Sequence, residues 1–192
     1  FLDWLNTYGI RLLMPISDRW FYGDALFIVD PWLWVILGGA VALAWTRSRL
    51  GMALSALMAA AMTALIWGNP IVPVWARAVW TAALGGWVAL RWWLPAERIR
   101  QAARVALVLA AVYIGAGIAG TRVAEARVRD LARARGWNLD RVAAMPQPVD
   151  PFRRIVIAVT PQHYWFVPVT LTRPGTGGLA PESVPRGTFD GV

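Results

Sequence analysis

The chain has no cysteine, no lysine and a single histidine. Without cysteine neither a disulfide framework nor a thiolate metal site can form, so any cation must be held by oxygen or imidazole. Without lysine all the side-chain positive charge rests on nineteen arginines, against eleven acidic residues, for a net charge of +8. They are dispersed among loops and helix ends rather than massed in one block, which suits phospholipid headgroups better than a nucleic-acid groove. No basic-aromatic sheet or reading helix accompanies them, and nucleic acid is excluded as a partner on that ground. Two catalytic signatures are also missing. Gly175-Thr176-Gly177-Gly178 lacks the lysine and following helix of a phosphate-binding loop, and no nucleophilic serine elbow occurs.

What is present is apolar. Hydrophobic residues make up 58% of the chain, charged residues 16%, and thirteen tryptophans run through it; mean hydropathy is +0.48. That composition belongs to a polytopic membrane protein. In hydrocarbon the backbone must close its own hydrogen bonds, and stretches of this length do so as helices. The expected fold is therefore mainly α, a membrane helix bundle of about four spans, each needing roughly 20 residues to cross. The spans are read at residues 25–45, 50–67, 74–94 and 105–121. In the first, Asp30-Pro31 is a good helix opening, a capping carboxylate followed by proline at the first helical position. Asn69-Pro70 ends the second, and Arg77 is expected to snorkel to the headgroups from the start of the third. In the fourth, Gly115, Gly117 and Gly120 with Ala116 and Ala119 form a small-residue surface suited to close helix packing.

Four segments follow from this reading: residues 1–24 as an interfacial acidic segment, 25–121 as the bundle, 122–172 as an extramembrane helix plus a β-hairpin-like unit, and 173–192 as a mobile tail. In the third, Ala124, Val128 and Leu131 make a narrow apolar stripe on one helix face, which Gly136 ends. Residues 154–160 and 164–171 then have strand character, with Pro168 demoting the second to an edge. The tail is rich in glycine and proline, with little to bury. Arg47 and Arg49, and Arg91, Arg98, Arg100 and Arg104, mark the two links that belong in the cytoplasm, placing the N-terminal segment and the C-terminal region outside. The counter-indication is a second cluster, Arg122, Arg127, Arg129, Arg133 and Arg135.

Chemistry points to the N-terminus, where Asp3, Asp18, Asp24 and Asp30 concentrate four of the eleven acids beside an apolar run. Carboxylates at a bilayer edge are site candidates by default. If residues 1–8 are helical, Asp3, Asn6 and Thr7 share one face. The next stretch is broken by Pro15 and Gly23 and is read as lying along the interface, where Arg11 and Arg19 would bind a phosphate or pair with Asp18 and Asp24. Each acid also has an ordinary role: Asp18 and Asp24 as turn formers, Asp30 as a helix cap. His163 is read as a turn residue.

The run Asp3-x-x-Asn6-x-Tyr8-Gly9-x-x-Leu12-Leu13-x-Pro15-x-Ser17-Asp18-Arg19, continuing through Phe21, Asp24 and Ile28 to Asp30-Pro31, resembles the YdjM-like family of bacterial inner-membrane proteins described as metal-dependent hydrolases. The later layout, helices followed by Pro146, Pro148 and Pro151 and a short β region, is similar as well. The resemblance implies a bacterial inner-membrane location, a divalent metal, zinc first, and a phospholipase-like hydrolysis of a lipid or other interfacial substrate. It implies Asp3 as a metal ligand, with Asn6, Asp18 and Asp24 in the catalytic set and Arg11 and Arg19 on the substrate. The family's histidines would precede Phe1, so the chain is expected to be truncated relative to the family; His163 alone cannot make a histidine-based zinc site. The alternative is a non-catalytic membrane scaffold that binds a partner.

Overall fold

The computed structural model describes residues 15–18, 25–27, 30–45, 48–174 and 180–188. The chain divides into two compact units, Phe1–Val29 with Ile114–Val192, and Asp30–Tyr113.

The Asp30–Tyr113 unit is helical. It opens with α1 (Pro31–Leu33), a π-helical turn (Trp34–Gly38) and α2 (Gly39–Trp45), followed by α3 (Arg49–Gly68) and α4 (Val74–Trp93). Ser48 caps α3, its Oγ accepting from Gly51 N at 2.9 Å. As the Asp30-Pro31 pair predicts, the regular helix begins at Pro31, and residues 25–27, the described part of the lead-in, are irregular. The hydrophobic side chains kept inside this unit are the small Ala40, Ala76, Ala106 and Ala110 beside Leu43, Met62, Ile66, Val72 and Trp80. Large apolar side chains point outward instead, among them Leu57 at 65% and Leu65 at 65% exposure. A water-soluble domain would bury these, whereas helices surrounded by lipid pack on small residues and expose large ones. One internal polar contact ties α3 to α4: Trp80 Nε1 donates to Thr63 Oγ1 at 3.0 Å, and that hydroxyl donates to Ala59 O. A ring at Trp87 lies where a side chain on Gly39 would have to go.

Among the described residues two helices are long and apolar enough to cross a membrane, Arg49–Gly68 and Gln101–Arg135. Of the other two expected spans, the helix at Pro31–Ala44 is shorter. α4 has the length, 20 residues, but five tryptophans and two arginines lower its hydropathy. Its Arg77 folds back onto the preceding turn, Nη2 donating to Asn69 O at 2.9 Å.

α5 (Ile99–Arg135) is a single 37-residue helix. Its exposed residues change character along its length. Val105, Leu107, Val108, Leu109 and Val112 are all more than half exposed; from Arg122 onward the exposed positions include Arg122, Arg129, Asp130 and Arg133. A Schellman arrangement ends it, Gly136 N donating to Arg133 O and Trp137 N to Ala132 O, with Gly136 at φ +67°.

The last part of α5 carries the C-terminal core. Ala124 and Val128 are fully buried against Ala144, Val156, Ala158, Val167 and Val169 of a four-stranded antiparallel sheet, and Ala132, further along the helix, is fully buried as well. Its strands are β1 (Arg141–Pro146), β2 (Arg153–Val159), β3 (His163–Thr170) and β4 (Glu182–Pro185), in the order β1-β2-β3-β4. Register puts Val142, Ala144, Val156, Ala158, Val167 and Val169 on the core face; Met145, Ile155, Ile157, Tyr164 and Phe166 lie opposite, half-buried. Two expectations are corrected. β3 is not an edge strand: β4 pairs with it from His163 to Phe166 and stops two residues before Pro168, whose missing N–H is therefore not needed on that side. The segment expected to be mobile contains β4, held to β3 by this ladder.

Val128 is the largest fully buried α5 side chain in that core. Val128→Ala should destabilise the C-terminal unit by about 2 kcal/mol, two lost methyl groups plus a residual cavity. Thermal unfolding in detergent, followed by the sheet's circular dichroism, would reveal the loss.

Candidate functional site

Two polar centres stand out, one in each unit. The first is Asp30, 8% exposed. Its Oδ1 accepts from Trp32 N at 3.0 Å and Leu33 N at 3.2 Å, satisfying two N–H groups that α1 cannot satisfy internally. Its Oδ2 accepts from the Tyr113 hydroxyl on α5 at 2.8 Å. The cap role follows from the Asp-Pro pair; Tyr113 has no sequence signal, because the residues lie 83 apart. With both oxygens engaged, Asp30 is an anchor rather than a base.

The second centre lies where the chain crowds α5 near its change of surface. A Cβ on Gly117 would lie 2.5 Å from Ala25 O, and one on Gly120 would lie 2.8 Å from Leu171 Cδ1 and 3.3 Å from Arg154 Nη2. The small-residue surface is thus used, and among the described residues its occupants are an irregular segment and the sheet. Nothing approaches Gly115 within 4 Å. Ala25 and Leu26 are buried, at 2% and 7% exposure. Arg154 is buried at 2%; its Nη1 donates to the carbonyls of Pro151 and Arg153, both at 2.9 Å, and its Nη2 to Gly117 O at 3.4 Å. Arg127 clamps the exit of β3, Nη1 donating to Thr170 O and Arg173 O and Nη2 to Leu171 O. Sequence reasoning missed both arginines, since a guanidinium bound to carbonyls has no acidic partner at a readable spacing.

Of the residues expected to form a catalytic site, Asp18 alone is described, at an exposed position. Asp3, Asn6, Arg11, Arg19 and Asp24 lie outside the described residues. His163 begins β3 in a tight turn, its N–H donating to Thr160 Oγ1 at 3.1 Å and its carbonyl accepting from Thr160 N at 2.9 Å. Among the described residues no group of three or more His, Asp or Glu side chains is placed to hold a metal. Asp3, the one zinc ligand within this chain that the resemblance implies, lies outside those residues.

Residues 1–71 match the family model of the YdjM inner membrane protein. The YdjM match covers the acidic segment, the Asp30 cap and the helices through α3, and agrees with the motif from Asp3 to Pro31. It supports an inner-membrane location. It stops before α4, α5 and the sheet. No curated protein and no solved structure matches the chain.

Tyr113→Phe should cost about 1 kcal/mol of stability, and Asp30→Ala about 2, having lost the cap as well. The double variant should fall short of their sum by about 1 kcal/mol, because both remove one shared bond. Melting of the four proteins in detergent tests this, and strict additivity would break the link.

Proposed function

We propose that the chain is a four-span inner-membrane protein that acts as a hydrolase at the outer face of that inner membrane. The observation that carries the topology is the change of surface along α5, apolar through Val112 and charged from Arg122. A parity argument supports four spans. Ala25 touches Gly117 near the end of the apolar stretch, so the chain returns to the side from which it entered, and its crossings between these residues must be even in number. With α3 and α5 crossing, α1–α2 and α4 both cross or neither does. The 20 residues of α4 suffice for about 30 Å. Trp92 and Trp93, more than 80% exposed at its end, suit the headgroup zone. The arginines at 47, 49, 91, 98, 100 and 104 then face the cytoplasm, and the acidic segment and the sheet face the periplasm.

The hydrolase reading is supported by the YdjM match and the motif it covers. In this reading the substrate is an anionic lipid or a similar interfacial molecule reaching the site sideways from the bilayer, Arg11 and Arg19 hold its anionic group, and Asn6, Asp18 and Asp24 complete the polar surface. A divalent ion, zinc first, is the proposed cofactor, with Asp3 among its ligands; no described residue is assigned to it.

The test is phospholipid hydrolysis by the full-length protein, with and without chelator, beside Asp3→Asn. Loss of turnover by about 100-fold or more in both is expected. Unchanged turnover in both would overturn the hydrolase and leave a scaffold. Loss in Asp3→Asn alone would remove the metal.

A further inference from the structure

The loop between β1 and β2 sits at a defined height along α5. Arg154, at the start of β2, hydrogen-bonds both Pro151 O and Gly117 O. Leu171, whose side chain covers Gly120, donates its N–H to Phe152 O at 2.8 Å. Residues 151, 152 and 171 are therefore level with the turn of α5 from Gly117 to Gly120, the last before the exposed surface changes from apolar to charged at Arg122. At that height Phe152 is 50% exposed. The main chain holds it there. Phe152 N donates to Asp150 Oδ1 at 3.0 Å, Asp150 Oδ2 pairs with Arg153 Nε at 3.3 Å, and Val149 adopts φ +67°, a conformation unfavourable for a β-branched residue. An ordered turn under backbone strain thus presents a large apolar ring to its surroundings, a combination found where function demands it.

We propose that residues 147–153 form a bilayer anchor. Phe152 enters the boundary between headgroups and acyl chains beside α5, and the exposed guanidinium groups of Arg153 and Arg122 lie at the phosphates of anionic lipids. The anchor rests on the reading that α5 crosses the membrane. Its occupant is the bilayer rather than a protein partner because the ring stands level with the end of the crossing, where lipid is the neighbour. It holds the sheet at the membrane surface, on the side where the proposed substrate arrives.

These 192 residues contain no cysteine, so single spin labels can be placed in them once any cysteine elsewhere in the full-length protein is replaced by serine. Labels would be placed by Phe152→Cys, by Pro148→Cys in the same turn, by Gln162→Cys at the opposite end of the sheet, and by Leu109→Cys on the apolar part of α5. The full-length protein would be reconstituted in vesicles of phosphatidylethanolamine and phosphatidylglycerol, and collision with a water-soluble nickel reagent compared with collision with oxygen. The expected result is a several-fold lower nickel accessibility at 152 and 148 than at 162, with 109 lower still. If 152 and 148 are as accessible as 162 while 109 stays shielded, the anchor is overturned and the crossing stands. If 109 is also open to nickel, the crossing falls and takes the anchor with it.

Discussion

The close approach of main chain and side chains to α5 at Gly117 and Gly120 is the contact on which the C-terminal unit depends. A side chain at 117 would collide with the Ala25 carbonyl, and one at 120 with Leu171 and the head of Arg154. Backbone displacement is the only relief at 117, whereas a flexible leucine tip could yield at 120. Gly117 is therefore the stricter of the two. The apolar stripe of Ala124, Val128 and Ala132 continues the same small-residue logic along α5, which lets strands approach the helix closely enough to exclude water. Small side chains on the helix and branched ones on the sheet fill that space from opposite sides.

Close approach brings a polar obligation. Carbonyls at the end of β3 and in the β1–β2 loop must find donors where water is excluded, and an unmet one costs about 1–3 kcal/mol. Arg127 serves the carbonyls of Thr170 and Leu171, and at a more exposed position that of Arg173, while Arg154 serves those of Pro151 and Arg153 and also Gly117 O on α5. Arginine is suited to this because its planar fork spreads five donors and it stays protonated. A chain with nineteen arginines and no lysine has these forks to hand wherever strands leave the sheet.

Much of this was legible in the sequence, and the legible parts share a cause. The Asp30-Pro31 cap, the stop at Gly136, the stripe through Ala124 and Val128 and the two central strands all depend on neighbours within a few residues. Periodicity and capping chemistry report such neighbours directly. The misses are all contacts at long range. Tyr113 on Asp30 and Arg127 on the β3 carbonyls left no trace in spacing. Neither did β1 or β4: β1 (RVAAMP) is short and ends in proline, and β4 (ESVP) lies in a stretch whose glycine and proline content reads as disorder. Such strands form only because a neighbour is already in place to pair with them. The candidate catalytic residues stood out by composition and resemblance rather than by geometry. Of them only Asp18 falls among the described residues, so the site was legible as a segment and not as an arrangement.

The arginine cluster after the apolar part of α5 runs against the orientation proposed for the sheet, and the fold shows what most of its members touch. Arg129 pairs with Glu125 at 2.9 Å, Arg133 pairs with Asp130, the Arg135 guanidinium lies 5.4 Å from the Trp137 ring, and Arg127 is turned onto carbonyls. Positive charge retains a segment in the cytoplasm when it sits in a short link close to a span, and folded domains are translocated largely regardless of charge. The arginines at 127–135 belong to a folded unit, whereas Arg49 and Arg98 sit at the edges of links, with the side chain of Arg49 exposed. Counting arginines by sequence position alone weighs the two groups equally.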